Sequence, residues 1–298
     1  MRGVAEPASV LEIRRAYGVP DTVRLKADER EVLAWMPGFE VAVRQVAACP
    51  EGLAQAGLGG RRGMRRIETD EGRVLVREYG KGGVWRALRP RLFRGRWRPL
   101  DELALQRRLL VLGVPVAEAV GCVVLRHGTG WRGFLVLREV EPACDVEAVL
   151  YGQPAPARLR RDQVLARAGA AVRRLHDAGV PHPDLHPKNL LVAGDGRVLV
   201  LDLDRALGCD GLLDDAVRLA NLVRLARWVE KHRLKGLQVS TRDALRFLAG
   251  YAGSVEAGAR WLAVVRARLA PGLRLRQLWW RLRGEARPYR AAAGSGTA

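Results

Sequence analysis

Residues 181–192, PHPDLHPKNLLV, set two histidines, an aspartate and an asparagine directly ahead of an apolar run. LDLD follows, with Asp202 thirteen positions beyond Asn189. Those residue types in that order suit phosphoryl transfer from ATP. The reaction needs a base that positions the acceptor hydroxyl and about two oxygen ligands for Mg2+; most of the remaining catalysis is electrostatic. In H-x-D-x-x-x-x-N, Asp184 can accept the proton of the acceptor hydroxyl, and Asn189 can ligate magnesium. Asp202, leaving the strand VLVLD, supplies a second oxygen ligand. A competing reading makes His186 a metal ligand, but no further His or Cys stands nearby to complete a zinc set. His182 by itself reads as a structural hydrogen-bonder. A polar turn without chemistry is the remaining alternative.

The flanking elements favour phosphoryl transfer. Gln163 to Ala178 is predicted helical, with Val164, Leu165, Ala168, Val172 and Leu175 on one face. After the motif, NLLVAGDGRVLVLDLD reads as two short strands around a GDG turn, a hairpin that returns Asp202 to the loop of Asp184. Helix, H-x-D-x-x-x-x-N, hairpin and strand-end aspartate form the protein-kinase-like signature in its proper order.

Such a fold requires a first lobe with a phosphate cover, a basic strand residue and a helix glutamate. GLGGRRGMRRIETDEGRVLVREYG, residues 57–80, reads as a glycine-rich turn, a strand, an EG turn and a strand over Arg73 to Tyr79. Gly57, Gly59, Gly60 and Gly63 are the candidate cover. Arg77 occupies the position of the kinase lysine, with Lys81 as the alternative phosphate ligand. An arginine reaches phosphate with a bulkier, planar head. Pro99 opens a helical pattern carrying Leu100, Leu103, Leu105, Leu109 and Leu110, and Glu102 on it is the natural partner of Arg77. VPVAEAVGCVVLR and GFLVLREVE read as two further strands. The backbone around Glu139 to Glu141 would receive adenine. The expected fold is α+β and bilobal: an unassigned N-terminal extension over 1–56, a β-rich lobe over 57–141 and an α-rich lobe over 142–298.

Bulk properties bound the partners. The chain has 298 residues, 48% of them hydrophobic, and a formal charge of +19 from 51 Lys plus Arg against 32 Asp plus Glu. A field of that sign favours anionic partners. Four cysteines without CxxC spacing argue against a zinc ribbon or a disulfide framework and fit a reducing cytosol. The opening MRGVAEPASVLEIRRAYG lacks the apolar core of a secretory signal. The most apolar stretch, Leu109 to Leu125, is interrupted by Gly113, Pro115 and Glu118 and falls short of a membrane span. Residues 61–98 hold 13 basic and four acidic residues, and residues 260–290 hold nine basic and one acidic, with Trp261, Trp279, Trp280 and Tyr289 interleaved. Basic residues mixed with tryptophan suit an anionic membrane surface. No nucleic-acid motif accompanies them, so no nucleic acid is expected as a partner.

RRLHDAGVPHPDLHPKNLLVAGDGRVLVLDLDRA resembles the LHxxGVxHxDLxxxNILxxxxGxxxLIDFDR stretch of the lipopolysaccharide core kinases, the 3-deoxy-D-manno-octulosonic acid (Kdo) and heptose kinases. Residues 74–120 are similar to the strand, basic loop and helix of that family, and ANLVRLARWVEK to a later helix. The likeness covers roughly residues 57–231. It implies ATP-dependent phosphorylation of a Kdo or heptose of the lipopolysaccharide inner core by a peripheral enzyme at the cytoplasmic face of the bacterial inner membrane. By position, Asp184 carries over as the base and Asn189 and Asp202 as Mg2+ ligands. DLDRA stands where the family has DFDR, losing an aromatic, and HPK replaces the usual filler of the loop. HPDLHPKN is also similar to the loop of aminoglycoside and choline kinases. Two alternatives remain: a kinase-like phosphotransferase acting on another small molecule, and a weakly active kinase-like scaffold, for which Arg77 speaks. No APE-like segment follows Asp202, which argues against a protein kinase.

Overall fold

A computed structural model describes residues 9–56, 64–80, 92–93, 95–208 and 211–283. The chain divides into two compact units, residues 1–111 with 117–139, and residues 112–116 with 140–298.

The first unit is built on an antiparallel sheet. Residues 10–55, unassigned from the sequence, supply helix α1 (Val10–Tyr17), strands β1 (Arg24–Ala27) and β2 (Glu31–Trp35), helix α2 (Glu40–Ala48) and strand β3 (Ala54–Gln55). Then come β4 (Met64–Thr69), β5 (Gly72–Glu78), α3 (Arg98–Val111), β6 (Ala119–His127) and β7 (Gly130–Arg138). The strand order is β1-β2-β6-β7-β5-β4-β3. Apolar side chains alternate across the sheet and pack in two layers. Val32, Ala34, Cys122, Val124 and Leu135 join Leu100 and Leu103 of α3; Leu33, Val74, Val76, Phe134 and Val136 join Val43 and Val46 of α2. A bulge between Ala119 and Gly121 shifts the register there, so Ala119 and Cys122 share the α3 side despite their odd spacing. Gly121 is a packing requirement. A Cβ there would stand 2.5 Å from Val43 Cγ2 and 2.9 Å from Ala34 O.

The strand parity of β5 directs Arg77. Val74 and Val76 point to the α2 layer, whereas Tyr79 belongs to the α3 layer. Arg77 shares the parity of Tyr79 and so meets α3, where Glu102 waits.

The second unit is mostly helical around a short antiparallel sheet. Its elements are β8 (Ala143–Asp145), α4 (Val146–Leu150), α5 (Arg161–Asp177), β9 (Leu190–Ala193), β10 (Val198–Val200), α6 (Asp215–Arg233), α7 (Thr241–Ala252), α8 (Val255–Leu269) and α9 (Leu273–Leu282). The strand order is β10-β9-β8. Val164, Leu165, Ala168, Val172 and Leu175, the apolar face expected on α5, are all buried. Ser240 and Ser254 cap α7 and α8 through the backbone N–H of Asp243 and Ala257.

Helices α5 and α7 meet backbone to backbone. A Cβ on Gly169 would lie 1.9 Å from Phe247 O, and one on Gly250 would lie 2.0 Å from Ala166 O. Gly169→Ala gains about 1 kcal/mol of helix propensity, yet the atom it adds falls inside another backbone. Forcing the helices apart should cost roughly 1–3 kcal/mol or more, and each kcal/mol lowers Tm by roughly 2–4 °C at this size. A thermal melt of Gly169→Ala is expected to show a net loss; an unchanged or raised Tm would mean that the helices separate at no cost.

Candidate active site

In the second unit, the loop after α5 is fastened from two directions. His182 donates its backbone N–H to Asn221 Oδ1 of α6 at 2.7 Å. Its ring accepts the Asp184 N–H at Nδ1, 3.0 Å, so the proton sits on Nε2 and is donated to Leu201 O at 2.8 Å. Burial lowers the pKa of His182, which favours this neutral form. The imidazole is thus a strut from the loop of Asp184 to the residue preceding Asp202.

Leu201 is held on its other side as well. Its N–H donates to Asn189 O at 2.9 Å, and Asn189 Nδ2 donates to Asp184 O at 3.0 Å. Asp184, Asn189 and Asp202 are therefore linked through hydrogen bonds that meet at one residue, Leu201. Asp202 itself has φ +57°, a left-handed backbone that few residues other than glycine adopt readily. The Asp184 carboxylate is 68% exposed, with Oδ2 3.4 Å from His186 Nε2. His186 stacks on Trp228, which stacks on His232 at 3.6 Å between ring centres. Lys188 pairs at 3.0 Å with the buried Glu147, whose pKa burial raises and Lys188 draws back down.

This loop presents oxygen donors of the kind Mg2+ takes. The hydrogen bond of Asn189 engages its amide nitrogen, so Oδ1 is the end available to a metal. Asp202 adds an exposed carboxylate. Magnesium commonly uses one or two protein oxygens and leaves the rest of its shell to phosphate and water, and the donor set fits that habit.

In the first unit, Arg77 and Glu102 are in contact. Arg77 donates to Glu102 Oε2 at 2.5 Å, as does the Tyr79 hydroxyl at 2.5 Å, and Gln106 Nε2 donates to Oε1 at 3.1 Å. Glu102 is 1% exposed at its side chain, and a carboxylate so buried needs such donors to remain charged. The Arg77 guanidinium also lies 4.9 Å from the centre of the Tyr79 ring.

Glu139 is occupied differently from a bare hinge residue. Arg66 grips its carboxylate at two points, and its N–H donates to Arg73 O at 2.9 Å. Only its carbonyl could then serve a base. Glu141 is exposed in the second unit. Gly57, Gly59, Gly60, Gly63 and Lys81 lie outside the described residues.

Sequence reasoning missed Asn221 and Tyr251. Asn221 Oδ1 also meets His176 Nε2 at 3.3 Å, and the Tyr251 hydroxyl meets His176 Nδ1 at 2.9 Å. The only local signal was an amide within the apolar run ANLV. Burial pushes the His176 pKa down to about 4, against about 6.5 for an unfolded histidine. Stability from its neutral form is fully present above about 6.5 and is lost as pH falls toward about 4. Denaturation midpoints measured across that window should fall with acidification, and His176→Gln should make the slope shallower. Equal slopes would remove His176 as a source of acid sensitivity.

Residues 54–251 match the lipopolysaccharide kinase (Kdo/WaaP) family. A 3-deoxy-D-manno-octulosonic acid kinase of Xanthomonas oryzae is 32% identical over 155 residues, covering 50% of this chain and 59% of that protein. One from Vibrio cholerae is 28% identical over 173 residues, 57% of this chain and 70% of that protein. A solved structure of WaaP in complex with acyl carrier protein aligns over 83% of this chain and 98% of that one at 24% identity, with a TM-score of 0.48. The family match takes in both the strand of Arg77 and the loop of Asp184, and spans well over half of the chain. This chain belongs to the lipopolysaccharide kinase (Kdo/WaaP) family.

Proposed function

We propose that the protein transfers the γ-phosphoryl group of ATP to a hydroxyl of a lipid-linked inner-core sugar of lipopolysaccharide, a Kdo or a heptose. The observation that carries this reading is the hydrogen-bonded set at Leu201, which joins a carboxylate suited to a base with two oxygen ligands suited to Mg2+. Family membership supports it, and relatives named Kdo kinase favour Kdo as the acceptor.

Asp184 accepts the proton of the sugar hydroxyl as that oxygen bonds to the γ-phosphorus and the bond to the leaving ADP oxygen breaks. The strut of His182 holds the loop so that the carboxylate is positioned before substrate arrives, which is where positioning lowers a barrier. Asn189 and Asp202 would hold Mg2+. When bound, the ion neutralises charge on the phosphates. Arg77, oriented by Glu102 and Tyr79, takes the place of the kinase lysine toward the phosphates. Gly57, Gly59, Gly60 and Gly63 cover the phosphates, and the backbone of 139–141 receives adenine through groups other than the Glu139 amide. The protein acts peripherally at the cytoplasmic face of the bacterial inner membrane; among the described residues no helix is long and apolar enough to cross a membrane.

The test is transfer of labelled γ-phosphate from ATP to lipid A bearing Kdo and, separately, to a heptose-bearing core. Label on Kdo is expected. Asp184→Asn should lower turnover by about 10² or more while nucleotide still binds, and Asp202→Ala should lose the magnesium dependence of nucleotide binding. No transfer to either acceptor, or near-normal turnover in Asp184→Asn, would sink the proposal.

Arg77→Ala and Glu102→Ala should each reduce turnover. Because the two touch, their combined effect should fall short of the sum by roughly 0.5–3 kcal/mol. Strict additivity in a double-mutant cycle would show that Glu102 does not act through Arg77.

A further inference from the structure

Helix α9 turns an apolar stripe outward. Its sequence LRLRQLWWRL contains no acid, and Leu275, Leu278, Trp279 and Leu282 are 74%, 55%, 47% and 77% exposed. The spacing i, i+3, i+4, i+7 places all four on one helical face. Trp280, on another side, is the buried anchor at 8%. At 100° per residue, Arg276 and Arg283 fall along one edge of the stripe and Arg281 along the other. The Arg283 guanidinium lies 3.8 Å from the centre of the Trp279 ring.

An independent feature lies beside it. Arg227 on α6 is close enough to Arg276, Arg224 and Arg268 for their charges to act on it. Burial first, and then these three cations, hold its pKa below the usual arginine value. Among the described residues, none of the four guanidiniums has an ion-pair or hydrogen-bond partner. Like charges gathered without carboxylates repel one another, and an external anion relieves that repulsion.

We propose that α9, with Arg224, Arg227 and Arg268 beside it, is the face by which this protein docks on an anionic phospholipid bilayer. The exposed leucines and Trp279 enter the interfacial region, and the arginines meet lipid phosphates. Both halves of the pattern are needed for this choice. Nucleic acid would satisfy the arginines but leaves three exposed leucines without a partner, whereas a lipid interface takes apolar and cationic groups together. A second copy of the same face would satisfy the leucines while bringing the arginines against each other. The inference concerns attachment and does not depend on the kinase reading.

The experiment is co-sedimentation of the whole chain with phosphatidylcholine vesicles containing increasing phosphatidylglycerol, at low and high salt. Each basic residue near an anionic surface contributes roughly fivefold in affinity, so changing Arg224, Arg227, Arg268 and Arg276 to Gln should weaken binding roughly 600-fold. Leu275→Gln with Leu278→Gln and Leu282→Gln should remove the part of binding that survives high salt. The three leucines are exposed, and matching thermal melts establish that this variant is folded; the lipid-charge and salt titrations of the unaltered protein need no variant. Binding that ignores lipid charge, or that both variants retain, overturns the proposal. Without vesicle binding, a dimer in light scattering that the leucine variant abolishes assigns the face to self-association instead. Duplex DNA binding that the arginine variant abolishes, again without vesicle binding, assigns it to nucleic acid. Turnover is no part of the outcome, so a failed kinase assay leaves this result standing on its own.

Discussion

The backbone of Leu201 is the fixed point of the second unit's candidate site. Its carbonyl accepts a hydrogen bond from His182 Nε2–H, and its N–H donates one to the carbonyl of Asn189. With Asp184 bonded to both His182 and Asn189 through its backbone, the chain segments that carry the two carboxylates and the amide are held together. The arrangement depends on a neutral imidazole, because only that form can accept from the Asp184 N–H while donating to Leu201. Burial supplies the neutrality. Asn221 extends the restraint to α6, and Tyr251, through His176, to α7. His182, His176, Asn221 and Tyr251 thereby hold the backbone that carries Asp184, Asn189 and Asp202.

The first unit solves a different electrostatic problem. Glu102 is carried into the layer between α3 and the sheet, where an unpaired carboxylate would be costly. Arg77, Tyr79 and Gln106 converge on it with hydrogen bonds. Arg77 is held in turn by the carboxylate and the Tyr79 ring face. A guanidinium with a fixed plane is a directional donor where lysine would be a mobile point charge.

Local chemistry in the sequence carried far into the structure. The motif at 182–189, the hairpin leading to Asp202 and the apolar face of α5 are each written within a dozen or so residues. The pairing of Arg77 with Glu102 also follows from strand parity and a helix phase. What lay hidden was non-local. Strand β2 gains its place by pairing with β6, some 90 positions away, and its own five residues show no sign of that partner. Strand β8 is three half-buried residues whose identity comes only from lying beside β9. Asn221 is an ordinary helical amide until α6 brings it to a histidine 39 positions earlier.

The left-handed backbone at Asp202 narrows what evolution could place there. Glycine, asparagine and aspartate are the residues that sit in that region with least strain. The Mg2+ ligation proposed for this residue adds a second and unrelated requirement, a carboxylate. Glutamate meets the second at greater backbone strain; glycine meets the first and lacks the second. On the proposed reading, position 202 is filtered twice, once by chain geometry and once by charge, and aspartate meets both with least strain.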